Sequence, residues 1–246
     1  MLKVSSLSKN FGGIQALDGL TFDVEEGEIH GLIGPNGSGK STTVNLVSGL
    51  FLPSSGKIEF LGQDITGLPL HRRTAAGISR TFQNIRLFGK LTVWQNLWIA
   101  QRDGGNSGGF LRRWMGGEAA AREEIDEILE MSSLLHKQDV AASNLSFGEQ
   151  RRLELARAIA GRPKLILMDE PAAGMNPEEV ADLEARIREL KRRNVTVLLI
   201  EHHMDLVMSV SDRITVLNFG RRIAQGLAQE IQSDPVVQEA YLGVAA

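Results

Sequence analysis

The chain has 246 residues, and at roughly 150 residues per domain that length holds one large domain with room for a subdomain, not two complete enzymatic domains. Its 27 basic and 30 acidic residues nearly balance, so nothing global draws it to nucleic acid or anionic lipid, and with no cysteine it has no disulfides, thiolate metal sites or thiol catalysis. A 42% hydrophobic and 23% charged composition is that of a globular chain, although 26 glycines make about 11% where about 7% is usual.

Residues 1–10 lack an apolar core with a cleavage site, so no secretory leader is expected. The uncharged stretch 41–56 is too polar to span a bilayer. The expectation is a cytoplasmic chain without a covalent membrane anchor. Leu2 and Val4, then Leu20, Phe22 and Val24, alternate with polar neighbours as two half-buried strands do, and an antiparallel pairing is expected. Residues 29–33 form a short apolar run ending at glycine, followed from Lys40 by Val44, Leu46 and Val47, which reads as strand, glycine loop and helix. Residues 57–61, between Gly56 and Gly62, read as a further strand.

Between about residues 94 and 145 the strand signals vanish. Ile125, Ile128 and Leu129 fall at helical spacing within 119–135, and Trp94 and Trp98 share one helical face. A helical subdomain is therefore expected over about residues 94–160, inserted in the core of a single domain 1–246. Within it, residues 103–117 hold six glycines and no period, the texture of a mobile loop. Alternation then returns, with a helix to Ala160, strand 165–168, helix 178–193, strand 196–200, another helix and strand 214–217. Strands alternating with helices imply an α/β fold around a mainly parallel sheet, here with an N-terminal antiparallel β subdomain.

Gly34, Pro35, Asn36, Gly37, Ser38, Gly39, Lys40 and Ser41 fit the pattern G-x-x-x-x-G-K-S/T, and the strand before and helix after supply its required context. Phosphate oxygens need several donors at close range. Glycines let the backbone curl with N–H groups inward, and the helix start adds partial positive charge. Lys40 would reach the β and γ phosphates, Ser41 would offer its hydroxyl to magnesium, and Thr42 continues the nucleotide-binding run. The second half of such a site is an apolar strand ending in acid. Residues 165–168 followed by Asp169 and Glu170 provide it, Asp169 as the magnesium acid and Glu170 as general base toward water.

Leu145, Ser146, Phe147, Gly148, Glu149 and Gln150 resemble the signature motif of ABC-type ATPases, and the order of motifs across essentially the whole chain agrees with that family. Read from the residues alone, Ser146 and Glu149 are a capping box. The resemblance implies a P-loop NTPase fold and ATP with Mg2+ as ligands. It also implies that Ser146, Phe147, Gly148 and Glu149 face the γ-phosphate held by a partner cassette. By the same resemblance Gln83 is the glutamine that touches magnesium or water, His202 is the switch histidine with His203 as its neighbouring alternative, and Phe11 stacks on adenine. Trp94 and Trp98 then either wall the groove toward a membrane subunit or, as is usual for tryptophan, fill the subdomain core. Residues 172–177 match the family's D-loop, while Asn176 and Pro177 also read simply as a helix start.

The sequence departs from the family where Phe147 stands for glycine, Glu149 for glutamine, Asn176 for aspartate and His203 for aspartate, which bears on the symmetry between two cassettes. Several of these departures, with the ending 234–243, resemble the hydrophobic amino acid uptake group. That resemblance, to the larger of the group's two ATPase subunits, implies an ATPase subunit that powers uptake of branched-chain or other hydrophobic amino acids across the bacterial inner membrane, working with transmembrane permease subunits and a second homologous ATPase, or with itself. The cargo alternatives are urea, short amides or an exported lipid, and a soluble assembly ATPase is the rival class. A nucleic-acid ATPase would need a coiled-coil insertion and basic faces.

Overall fold

The computed structural model describes residues 1–81, 85–101 and 118–242, apart from the side chains of 118–120 and 242. The chain divides into one unit made of Met1–Arg80 with Leu165–Ala246 and a second made of Thr81–Lys164. The expected insertion near 94–160 therefore sits within a wider unit. The stretch 103–117 and Gln83 lie outside the described residues.

In the first unit, β1 (Leu2–Phe11) and β2 (Ile14–Val24) pair antiparallel, with Leu2 opposite Val24 and Val4 opposite Phe22. These residues are buried because side chains two apart share a face. β4 (Ser55–Phe60) pairs with the other side of β1, and β5 (Gln63–Asp64) completes a four-stranded sheet. The expected strand 57–61 thus begins earlier and stops before Leu61, whose left-handed backbone turns the chain.

The second sheet of this unit has the order β10-β9-β3-β8-β7-β6. β3 (Ile29–Ile33), β7 (Leu165–Asp169) and β8 (Thr196–Ile200) are buried at every position, as suits parallel strands covered on both faces. β6 (Ile78–Arg80) and β9 (Arg213–Asn218) run parallel to them, and β10 (Arg221–Gly226) returns antiparallel at the edge. The helices of this unit include α1 (Lys40–Ser48), α2 (Leu70–Ala76) and, later in the chain, α6 (Pro177–Arg192) and α7 (Met204–Val210). α6 starts where its residues dictate: the Asn176 side chain accepts the Glu179 N–H at 3.0 Å, the Glu179 carboxylate answers the Asn176 N–H, and Pro177 fills the first turn. Its Leu183, Ile187 and Leu190 are buried, each worth roughly 1.5–3 kcal/mol. α8 (Ala228–Ser233) and α9 (Pro235–Leu242) end the described chain.

The second unit contains α3 (Val93–Ala100), α4 (Glu118–Met131) and α5 (Phe147–Ala160) around Leu97, Ile125, Leu129, Leu153 and Ala156. α4 stops short of the expected Leu135, because Ser133 turns left-handed and residues Leu135–Lys137 form a separate 3-10 turn. Trp94 and Trp98 stack at 6.1 Å and pack partly buried against this core. Among the described residues no helix is long and apolar enough to cross a membrane.

One buried polar cluster ties β3 to β9. His30 Nδ1 lies 3.1 Å from Glu28 Oε1 and His30 Nε2 lies 2.9 Å from Thr215 Oγ1, while Arg213 Nε donates to Glu28 Oε1 at 2.7 Å. Burial alone would push the Glu28 carboxyl up, but its bonds with His30, Arg213 and the Glu25 N–H bring it down to about 2. A carboxyl with a lowered folded pKa stabilises fully above its unfolded value and loses that contribution as pH falls through the folded one. The expected result is a melting-temperature gap between wild type and Glu28→Gln that is full above pH 4.5 and shrinks as pH falls toward about 2. A gap constant over that window in thermal denaturation would refute it.

Candidate functional site

β3 runs straight into the glycine loop. Gly34, Gly37 and Gly39 have φ of 151°, 79° and 105°, which L side chains adopt only with strain. At two of them space forbids a side chain as well. A Cβ on Gly34 would stand 2.2 Å from the Leu217 carbonyl oxygen, and one on Gly39 would stand 2.6 Å from Leu17 Cδ2. The loop closes with the Ser38 N–H on the Pro35 carbonyl, and α1 opens at Gly39 with no acidic residue in its first turn, leaving amides at a helix start that favours anions.

Lys40 is only 6% exposed. Its Nζ donates to the carbonyls of Gly34 at 2.7 Å and Pro35 at 2.9 Å. Burial pushes its ammonium below the ordinary lysine value, and the charges of Glu170 and Asp169 pull it back up. Ser41 is exposed on the first turn and Thr42 half-buried. Phe11, at the end of β1, is 41% exposed, meets Phe51 edge-on at 5.5 Å and has the Lys9 ammonium 5.0 Å from its ring centre.

The acids stand at the end of β7. Asp169 is held by Arg80, whose Nη2 donates to Oδ2 at 2.8 Å. Glu170 follows with a left-handed φ of 49°, a backbone state that costs a non-glycine residue roughly 1–3 kcal/mol and collects at functional positions. Its N–H donates to the Ile200 carbonyl at 2.9 Å, fixing it against the end of β8. His202 extends from that end, 60% exposed, with Nδ1 3.9 Å from Glu170 Oε1. The donor set suits magnesium, which takes few protein ligands and prefers oxygen: one hydroxyl and one carboxylate beside an anion-binding loop.

Two residues of this site were not singled out in the sequence. Glu201 is fully buried and accepts N–H bonds from Ala172 at 2.7 Å, His202 at 2.9 Å and His203 at 3.1 Å. It therefore ties the turn after Glu170 to the turn that carries His202. An acid closing an apolar strand was the signal that marked Asp169, and Glu201 repeats it after residues 196–200. Arg80 is the other, joined to Asp169 across 89 residues, a separation no local pattern reveals.

In the second unit, the Ser146 hydroxyl accepts the Glu149 N–H at 3.4 Å, and the Glu149 carboxylate accepts from the Ser146 N–H at 2.9 Å. The capping box is formed. The Lys137 ammonium, then the Ser146 N–H and hydroxyl, hold the Glu149 carboxyl down to about 2 against burial. Phe147 is 48% exposed beneath the Arg151 guanidinium at 5.3 Å, and Gly148 follows it in the first turn of α5.

The chain as a whole is similar to known proteins. The family model described as ABC transporter matches residues 17–173, and the model described as branched-chain amino acid ATP-binding cassette transporter matches residues 221–246. The high-affinity branched-chain amino acid transport ATP-binding protein BraF of Pseudomonas aeruginosa is 44% identical over 252 residues, covering 100% of this chain and 98% of that protein. The corresponding LivG protein of Escherichia coli strain K12 is 42% identical over 251 residues, with the same coverage of 100% and 98%. Among solved structures, a nucleotide-free ATP-binding cassette from an ABC transporter matches with a TM-score of 0.85 and 36% identity over 99% of both chains. The ADP conformation of an ATP-binding cassette matches at 0.87 and 36% identity, over 99% of this chain and 98% of that one. The chain belongs to the ABC transporter family, as an ATP-binding cassette of its branched-chain amino acid group.

Proposed function

We propose that the chain binds ATP with Mg2+ and hydrolyses it to ADP and phosphate, powering uptake of branched-chain or other hydrophobic amino acids through separate membrane subunits. The observation that carries this reading is the meeting, in one unit, of a glycine-formed loop around a buried Lys40 with the acids Asp169 and Glu170, whose charges act on that same lysine. The loop amides from Gly34 to Gly39 take phosphate oxygens, and Lys40 turns from its own loop carbonyls to the β and γ phosphates. Ser41 and Asp169, with Gln83, would hold Mg2+, which when bound offsets the charge on the phosphate oxygens. Glu170 takes the proton of the attacking water as its oxygen bonds to the γ-phosphorus and the bond to the ADP oxygen breaks. His202 steadies the γ-phosphate, and Phe11 stacks on adenine.

Ser146, with Phe147, Gly148 and Glu149, presents its helix start to nucleotide held by a second cassette, so the working unit is a dimer. A heterodimer with a homologous ATPase is preferred because Phe147 and Asn176 depart from the usual motifs. The relatives named as branched-chain amino acid transport ATP-binding proteins support the cargo, and the chain is expected to lie peripherally on the inner face of the cell membrane against transmembrane permease subunits. Reconstituting the chain with its permeases and second cassette in vesicles is the test. Leucine uptake should require ATP and be competed by isoleucine and valine. Uptake of urea instead of leucine would overturn the cargo, and failure to assemble with any membrane subunit would overturn the transport role.

A further inference from the structure

Arg80 is the last residue of β6, and the chain passes from it into the second unit. Its guanidinium joins three elements of the first unit. Nη2 donates to Asp169 Oδ2 at 2.8 Å, and Nη1 donates to Asn45 Oδ1 at 2.7 Å and Ser48 Oγ at 3.3 Å. Asn45 and Ser48 lie on α1, the helix whose first residues are Lys40 and Ser41. The Arg80 and Asp169 side chains are 12% and 11% exposed, so water competes weakly for this charge-assisted pair.

Arg73 shows what a purely structural arginine looks like here. It is fully buried and donates only to carbonyls, those of Leu46, Val47, Thr66 and Leu68, closing the C-terminal turn of α1. Arg80 instead bonds to side chains, and one of them is the acid beside the phosphate loop. A guanidinium is a rigid fork, so its bonds to α1 fix where it can meet Asp169. It grips Oδ2 and sets the rotation of the carboxylate relative to the helix that bears Ser41.

We propose that Arg80 is a positioning residue for the divalent-ion site: by clamping Asp169 to α1 it holds the carboxylate and the Ser41 hydroxyl in one frame, so that Mg2+ and nucleotide bind together. This rests on the reading of Asp169 as the metal acid. Partners that orient a metal ligand typically change metal affinity about 10- to 100-fold when removed. The loop amides and Lys40, which meet phosphate without the metal, keep their places when Arg80 changes.

The test is calorimetric titration of ADP into wild type, Arg80→Met and Asn45→Ala, each with EDTA and with Mg2+, together with Mn2+ and ADP titrations followed by EPR. In EDTA all three proteins should bind ADP within about twofold of one another, since none of the phosphate donors is touched. The Mg2+-dependent gain in affinity should fall about 10- to 100-fold in Arg80→Met. Asn45→Ala, which keeps the cation but loosens its seat, should lose about two- to tenfold, and Mn2+ affinity should fall in the same order. Equal metal dependence in all three proteins overturns the inference, as does an equal loss with EDTA and with Mg2+. If Arg80→Met does not fold, Asn45→Ala alone decides by the same criterion. If Mg2+ does not tighten ADP binding to wild type, the reading of Asp169 fails instead.

Discussion

The Glu170→Gln protein is expected to bind ATP at close to wild-type affinity while releasing phosphate about 10² to 10⁴ times more slowly. Glutamine keeps the size of the side chain and the backbone bond from residue 170 to the Ile200 carbonyl, but it cannot accept the water proton. The phosphate loop and Lys40 are untouched, so ground-state binding is preserved and the loss falls on kcat. His202 sits 3.9 Å from Glu170 but follows a different strand. A second consequence follows if nucleotide joins two cassettes. A ligand bound only by the associated state favours association by mass action, so ATP and Mg2+ should hold Glu170→Gln in the largest species seen by light scattering, more so with the partner cassette. Removing Ser146 should weaken that association. Phosphate release at the wild-type rate would remove Glu170 from its role, and a protein monomeric in every combination would remove the composite site.

Much of the fold was legible because its signals are local. The alternation of Leu2, Val4, Phe22 and Val24 specified two half-buried strands, and their register pairs those residues face to face. The short, mainly apolar segments of β3, β7 and β8 read as strands from their length and their alternation with helical stretches, and the structure buries them at every position. Asn176 with Pro177 marked the start of α6, which begins one residue before the expected helix 178–193 and ends one residue before it. What escaped is set by tertiary context. β6 is three residues long and β5 two, too short for any period, and they exist because a neighbouring strand offers its edge. β10 carries two arginines and glycine on an exposed edge, and its sequence looks like a loop. The end of α4 was overrun because Leu134 and Leu135 extend the apolar spacing, whereas the left-handed backbone at Ser133 breaks the helix first.

The candidate site divides along the same line. The phosphate loop and the acids after β7 are contiguous motifs whose chemistry needs particular residues at fixed spacing. They sit in the structure where strand, loop and helix place them. The supporting residues are dispersed. Glu201 acts on backbone N–H groups 29 positions away at Ala172, and Arg80 reaches Asp169 through a sheet pairing. Such roles become visible only when the strands are in register. Phe11 was singled out for an adenine ring, and in the structure its ring already meets Phe51 and the Lys9 ammonium, so stacking would have to use the face these leave open.

Replacing Lys40 with alanine tests the other half of the site, and here the loss should fall on binding. A buried ammonium has already given up its water, and its present partners are two carbonyls of its own loop. Exchanging them for phosphate oxygens replaces neutral acceptors by charged ones, and a hydrogen bond to a charged group is worth about 1.5–3 kcal/mol. Lys40→Ala should therefore bind ATP about tenfold to more than a hundredfold more weakly. The variant also leaves the Gly34 and Pro35 carbonyls without that donor, so a modest fall in melting temperature is expected, and Lys40→Met separates the two effects by filling the space without the charge. If the charge is what matters, both variants lose ATP affinity alike even where Lys40→Met melts closer to wild type. Titration calorimetry with Mg2+ and ATP at 25 °C decides. Affinity equal to wild type in either variant would mean that the loop amides alone hold the phosphates, and that Lys40 serves only to pin the loop it sits in.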